Sequence, residues 1–235
     1  MNRRFALIAA LATAALTATP LAAAPARKPA AARPLARPAP LGDTVRVTMV
    51  TALGPIEFEL DHAHAPVTVE NFMRYVDSRR FDGMTFYRAM KLKWGEQPNG
   101  LIQTGLRGNP AKVFKPIAHE PTSRTGIIHK AGTLSMARLA PGTATSDFSI
   151  LLSDLTGLDA DPASNDPELR AGYAAFGHVV GGMDVVRKIW NSPVSPTAGQ
   201  GAMKGQLLAP EIKVLTVRRS VMPVSAPAPA ANAAP

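Results

Sequence analysis

Two runs of strict apolar–polar alternation, separated by a glycine–proline pair, constrain this fold more than any other feature. Val45, Val47 and Met49 alternate with Thr44, Arg46 and Thr48; Ile56, Phe58 and Leu60 alternate with Glu57 and Glu59. A period of two puts successive side chains on opposite faces of a strand. Ala52-Leu53-Gly54-Pro55 between them reads as a turn, so the pair forms an antiparallel hairpin. The period then changes. Pro66 suits the first turn of a helix, and Val69, Phe72, Met73 and Val76 recur at i, i+3, i+4 and i+7 as one apolar stripe.

Short strand-like runs follow at Thr85–Arg88, Leu101–Thr104, Thr133–Ala137, Phe148–Leu152 and Ala174–Val180. A second helix is expected over Met183–Trp190, burying Met183, Val186, Ile189 and Trp190. A last alternating strand carries Ile212, Val214, Leu215 and Val217. Many strands, two helices and mostly local connections predict a mainly β fold, a closed antiparallel barrel capped by helices.

The ends differ from this core. Arg3 and Arg4 precede an apolar stretch from Phe5 to Leu16 and then small residues around Ala22, Ala23 and Ala24, so residues 1–24 read as an export signal. The apolar run is too short for a comfortable membrane span. Residues 25–42 and 221–235 are Pro/Ala-rich, without the apolar periodicity a core needs, and read as a linker and a disordered tail. The expected folded domain is 43–220, in a chain exported to the periplasm. With no cysteine, a disulfide framework and a lipid-anchored lipoprotein are excluded.

Charge follows the same division. Six of the 26 basic residues lie in 1–42, which holds no acid; the other 20 face all 17 acids, a net of +3 for the core. A basic stripe with interleaved aromatics is missing, so nucleic-acid binding is not expected. His62 and His64 share a polar connection but lack a third ligand at sensible spacing, and neither a metal nor a cofactor is expected.

Six segments, taken in order, resemble the cyclophilin family of peptidyl-prolyl isomerases. They are Gly54–Leu60, Ala65–Phe72, Phe81–Arg88, Gly132–Arg138, Ala144–Phe148, and Phe176–Val180 with Gly182–Val186. Tyr173 and the export signal look most like the bacterial periplasmic branch. The resemblance implies an eight-stranded barrel with two capping helices, and cis–trans rotation about X-Pro bonds of unfolded or nascent exported proteins. It implies Arg88 and Gln103 as catalytic residues, and substrate contacts at Phe86, Leu101, Ala137, Arg138, Asp147, Phe148, Ser149, Leu158 and Tyr173. A monomer without stable membrane insertion is expected.

Four departures fall on the site. An insertion spans roughly Ala89 to Asn99, and Gly100 stands where the family has a pocket phenylalanine; Trp94 within the insertion either refills the pocket or anchors the loop. Ser149 replaces a second pocket phenylalanine. Asp147 replaces a glutamine and is placed to pair with Arg88. Gly157-Leu158-Asp159 keeps a pocket leucine but loses a tryptophan, so strong cyclosporin binding is not expected. These losses leave two readings: an isomerase, weak or of altered selectivity, and a proline-peptide binding module of the cell envelope with little catalysis.

Overall fold

The computed structural model describes residues 39–220. The alternating hairpin forms as β1 (Thr44–Thr51) and β2 (Gly54–Asp61), paired so that Val47 faces Phe58 and Met49 faces Ile56. The alternating apolar members, Val45, Val47 and Met49 with Ile56, Phe58 and Leu60, are buried. Helix α1 (Pro66–Asp77) follows, with proline in its first turn and Val69, Phe72, Met73 and Val76 buried.

The remaining elements are β3 (Thr85–Lys91), β4 (Gly100–Gly105), α2 (Thr122–Thr125), β5 (Thr133–Met136), β6 (Phe148–Leu151), α3 (Pro167–Ala171), β7 (Ala175–Gly181), α4 (Met183–Asn191) and β8 (Leu207–Arg219). The strands close into an antiparallel barrel in the order β1-β2-β7-β5-β6-β4-β3-β8. Closure leaves no unpaired sheet edge. The predicted barrel and its two main helices are present. Two short helices, α2 and α3, lie in long connections whose local pattern carries no periodic signal. In α4 the buried residues are Val185, Val186 and Ile189, whereas Met183 and Trp190 are only partly covered.

Phe58, Phe72, Phe81, Phe148 and Phe176 fill the barrel. Phe72 lies 5.2 Å from Phe148 and 5.5 Å from Phe176, ring centroid to centroid. Each such burial stabilises by roughly 1.5–3 kcal/mol. Edge-to-face pairs such as Phe72–Phe148 add about 0.5–1.5 kcal/mol.

Helix α1 begins at Ala65, which has no capping side chain. Glu120, fully buried in the long loop after β4, supplies the cap: it accepts from Thr68 N at 2.7 Å, Thr68 Oγ1 at 2.6 Å and Val67 N at 3.2 Å. The loop is held further by Phe114, whose ring lies between the guanidinium groups of Arg74 and Arg80 at 4.2 and 4.0 Å.

The folded domain starts before residue 43. Arg219 Nη1 donates to Ala39 O at 2.9 Å, His62 Nδ1 bonds Gly42 O at 2.9 Å, and Leu41 packs on the core. The last residues of the expected linker thus belong to the barrel. The export signal at 1–24, the rest of the linker and the tail at 221–235 lie outside the described residues. Among the described residues no helix is long and apolar enough to cross a membrane.

Candidate active site

Four neighbouring strands bring one residue each into a single row. Arg88 on β3 pairs with Gln103 on β4, Gln103 with Ser149 on β6, and Ser149 with Ser135 on β5. This row floors a cleft of about 220 Å³, also lined by Met90, Leu101, Met136, Ala137, Arg138, Leu158 and Tyr173. Leu158 sits on a 3-10 turn, Thr156–Leu158, and Tyr173 N donates to Leu158 O at 2.8 Å, so this wall is one unit.

Arg88 is clamped. Nε donates to Gln206 Oε1 at 2.8 Å, Nη1 to Gln103 Oε1 at 3.0 Å, and Nη2 lies 3.6 Å from Met90 Sδ. A guanidinium has five N–H donors, so one remains on each terminal nitrogen after these contacts. Partial burial in the cleft wall lowers its pKa from the usual arginine value. An arginine nevertheless stays charged at physiological pH.

Six further expected residues meet in the cleft with Arg88 and Gln103: Leu101, Ala137, Arg138, Ser149, Leu158 and Tyr173. Arg138 is held tightly. Its Nη1 donates to Leu139 O at 2.8 Å and Glu168 Oε2 at 2.9 Å, Nη2 donates to Gly172 O at 2.6 Å, and the group lies 4.5 Å from the Tyr173 ring centroid. This arginine braces the wall.

Three expectations are corrected. Phe86 would share a face with Arg88 in a regular strand, but the register shifts between them, with Phe86 opposite Thr104 and Arg88 opposite Gln103. A bulge of one residue reverses the faces. Phe86 therefore enters the core while Arg88 faces out. Phe148 is likewise core, because strand alternation sends its neighbour Ser149 to the cleft. Asp147 does not pair with Arg88. It accepts from Tyr87 Oη at 2.9 Å, Arg107 N at 3.1 Å and Ser146 Oγ at 2.9 Å, outside the cleft lining. Burial and this carboxylate together push the Tyr87 hydroxyl pKa up.

Trp94 does not refill the proline pocket; it lines a separate cavity. Met90, Ser135, Met136 and Gln206 are site residues the sequence reading missed. Met90 was within reach, two places beyond Arg88 on the same strand. Gln206 was not, since only the β3–β8 pairing brings it there.

The description "Cyclophilin type peptidyl-prolyl cis-trans isomerase/CLD" matches residues 46–216. The chain belongs to this cyclophilin family. A peptidyl-prolyl cis-trans isomerase of Acinetobacter baylyi is 39% identical over 153 residues, 63% of this chain and 73% of that protein. Peptidyl-prolyl cis-trans isomerase A of Dickeya dadantii is 35% identical, over 62% of this chain and 71% of its own. A crystal structure of a Cryptosporidium parvum cyclophilin superposes with a TM-score of 0.59 at 22% identity, covering 77% of this chain and 99% of the other, which shows the shared barrel.

As a cyclophilin cleft, the arrangement provides a fixed cation, an amide and apolar walls from Met90, Leu101, Met136 and Leu158. No aromatic side chain stands at Gly100 or Ser149.

Proposed function

We propose that the Arg88 cleft catalyses cis–trans rotation about X-Pro bonds of exported, incompletely folded polypeptides. The supporting observation is the double clamp on Arg88 where it lines the cleft, with two of its N–H donors left over. The X-Pro bond resists rotation because amide resonance gives it double-bond character, a barrier of roughly 18–20 kcal/mol. Twisting breaks that resonance, leaving the prolyl nitrogen pyramidal with a lone pair. An N–H of Arg88 donates to that pair only in the twisted state, which is the differential binding that accelerates a reaction.

Gln103 has two parts in this scheme: its Oε1 fixes Arg88, and its Nε2 is the group that can donate to a substrate carbonyl. No covalent intermediate forms, and the proton inventory does not change. The proline ring rests on Met90, Leu101, Met136 and Leu158. Without aromatic side chains at Gly100 and Ser149 the ring loses on the order of 1.5–3 kcal/mol of burial per missing side chain. About 1.4 kcal/mol is tenfold in rate, so the expected isomerase is slow on short peptides compared with its aromatic-walled relatives. The signal-like residues 1–24 support action on exported chains, with the barrel serving as a folding helper.

The test is the exchange rate of an Ala-Pro peptide, followed by NMR, with the wild-type chain and Arg88→Ala. Catalysis that depends on Arg88 supports the reading. Equal and negligible rates would leave a binding module, the second reading, which the missing aromatic walls favour.

A further inference from the structure

The inserted loop between β3 and β4 is bonded more tightly than a spacer requires. Gln97 Nε2 lies 3.1, 3.2 and 3.3 Å from the carbonyl oxygens of Leu92, Trp94 and Gly95. Asn99 Nδ2 donates to Trp94 O at 2.7 Å, and Asn99 Oδ1 accepts from Ser153 Oγ at 2.6 Å, fastening the loop to the end of β6. Two of these bonds converge on the carbonyl oxygen of Trp94 and fix its backbone. Trp94 itself, however, is 66% exposed. Beside it lies a cavity of about 500 Å³ lined in part by Pro98, Ala131 and Leu152 and by two carboxylates, Glu96 and Asp154, the latter paired with Lys130 at 2.8 Å.

The cavity and the catalytic cleft are separate but adjoin. Met90 and Leu101 line the cleft and also pack with Leu92, Leu151, Leu155 and Leu158 in one small apolar cluster. Leu92 N donates to Asn99 O at 2.9 Å, the rung of the β3–β4 ladder beyond Gly100, and Leu152 N donates to Gly100 O at 2.8 Å. The loop therefore rises directly from the cleft rim.

We propose that Trp94 and its cavity form an outer subsite for a bulky apolar side chain of the polypeptide whose proline is held at Arg88. This rests on the prolyl-isomerase reading. A chain leaving the cleft on this side has to cross the rim that carries the loop. The loop is already ordered, so seating a side chain there costs little conformational entropy. An exposed tryptophan on an ordered backbone is the residue type that dominates peptide-binding hot spots. The inner cleft, poor in aromatic surface, also gains most from affinity placed outside it. Hydrophobic flanking residues are abundant in unfolded chains and hidden in folded ones, so the subsite selects for unfolded clients.

The experiment is 19F NMR of the full chain labelled with 5-fluorotryptophan, in which Trp94→Phe assigns the two resonances. Ala-Pro peptides are titrated with a phenylalanine placed at increasing distance on either side of the proline, or with lysine at those places. Expected are a shift of the Trp94 resonance with at least one phenylalanine series and none with the unextended peptide. Trp94→Ala is expected to raise KM for that extended peptide about tenfold, with kcat and short-peptide turnover unchanged. An unmoved Trp94 resonance, equal KM values, or a preference for lysine would each overturn the subsite. The titration reads binding even without turnover, so failure of the isomerase reading is seen separately, in the Arg88→Ala comparison.

Discussion

Gln206 Oε1 accepts from Arg88 Nε at 2.8 Å, joining two residues 118 positions apart. Gln103 holds Nη1 from the opposite neighbour of β3, so the guanidinium is fixed from both sides. A hydrogen bond to a charged group contributes about 1.5 kcal/mol, near tenfold in rate. Gln206→Ala is therefore expected to lower kcat on an Ala-Pro peptide about tenfold while leaving KM nearly unchanged. Exchange NMR at saturating peptide measures both, and circular dichroism should show an intact barrel.

Gly100 and Ser149 both stand where an aromatic wall is absent, yet they differ in what they tolerate. A Cβ at Gly100 would lie 2.0 Å from Met90 O, and φ there is +139°. Gly100→Phe is thus expected to disrupt the β3–β4 ladder and unfold the protein at lower temperature without any gain in activity. Ser149 faces the cleft from β6. Ser149→Phe is expected to increase kcat/KM on short Ala-Pro peptides by roughly tenfold through added ring contact. A loss of activity in Ser149→Phe with the fold intact would contradict this account of the pocket.

The barrel was legible because alternation and helical stripes report burial directly, as in Val45–Met49 and Val69–Val76. Arg88 was legible because it closes a resembling segment, Phe81–Arg88, and Leu101, Gln103, Ser149 and Leu158 because each holds a family position between such segments. What was hidden depends on phase and on long-range pairing. The bulge between Phe86 and Arg88 leaves no mark on residue type, yet it decides which side chain faces the cleft. Gln206, Glu120 and His129 act on partners in other elements, and a linear pattern carries no record of those contacts.

Among the described residues, Glu120 is the side-chain cap of the α1 N-terminus. Removing its carboxylate leaves Thr68 N without a partner in the interior and takes negative charge from a helix N-terminus. Unsatisfied buried donors cost about 1–3 kcal/mol each. Glu120→Ala is expected to destabilise the protein by about 3 kcal/mol in urea unfolding, and Glu120→Gln by less, since an amide oxygen still accepts one bond. Arg88-dependent turnover should persist in Glu120→Gln, because α1 lies outside the cleft.

His129 lies under the cleft floor. Its Nδ1 is 2.6 Å from Asp159 Oδ1 and its Nε2 is 2.8 Å from Ser135 Oγ, the end of the row that begins at Arg88. Burial lowers its pKa below the usual histidine value, and the Asp159 carboxylate only partly opposes this. The neutral ring fits both contacts, with Nδ1–H donating to Asp159 and Nε2 accepting from Ser135. Because the unfolded chain takes up this proton more readily, stability is full above about pH 6.5. It falls as the pH drops toward the lowered folded value, by at most about 1.4 kcal/mol per pH unit. Urea unfolding at successive pH values should show this slope in the wild type and a shallower one in His129→Gln. The more exposed histidines are common to both proteins and cancel in the difference. Parallel slopes in the two proteins would mean that His129 is not the group that titrates.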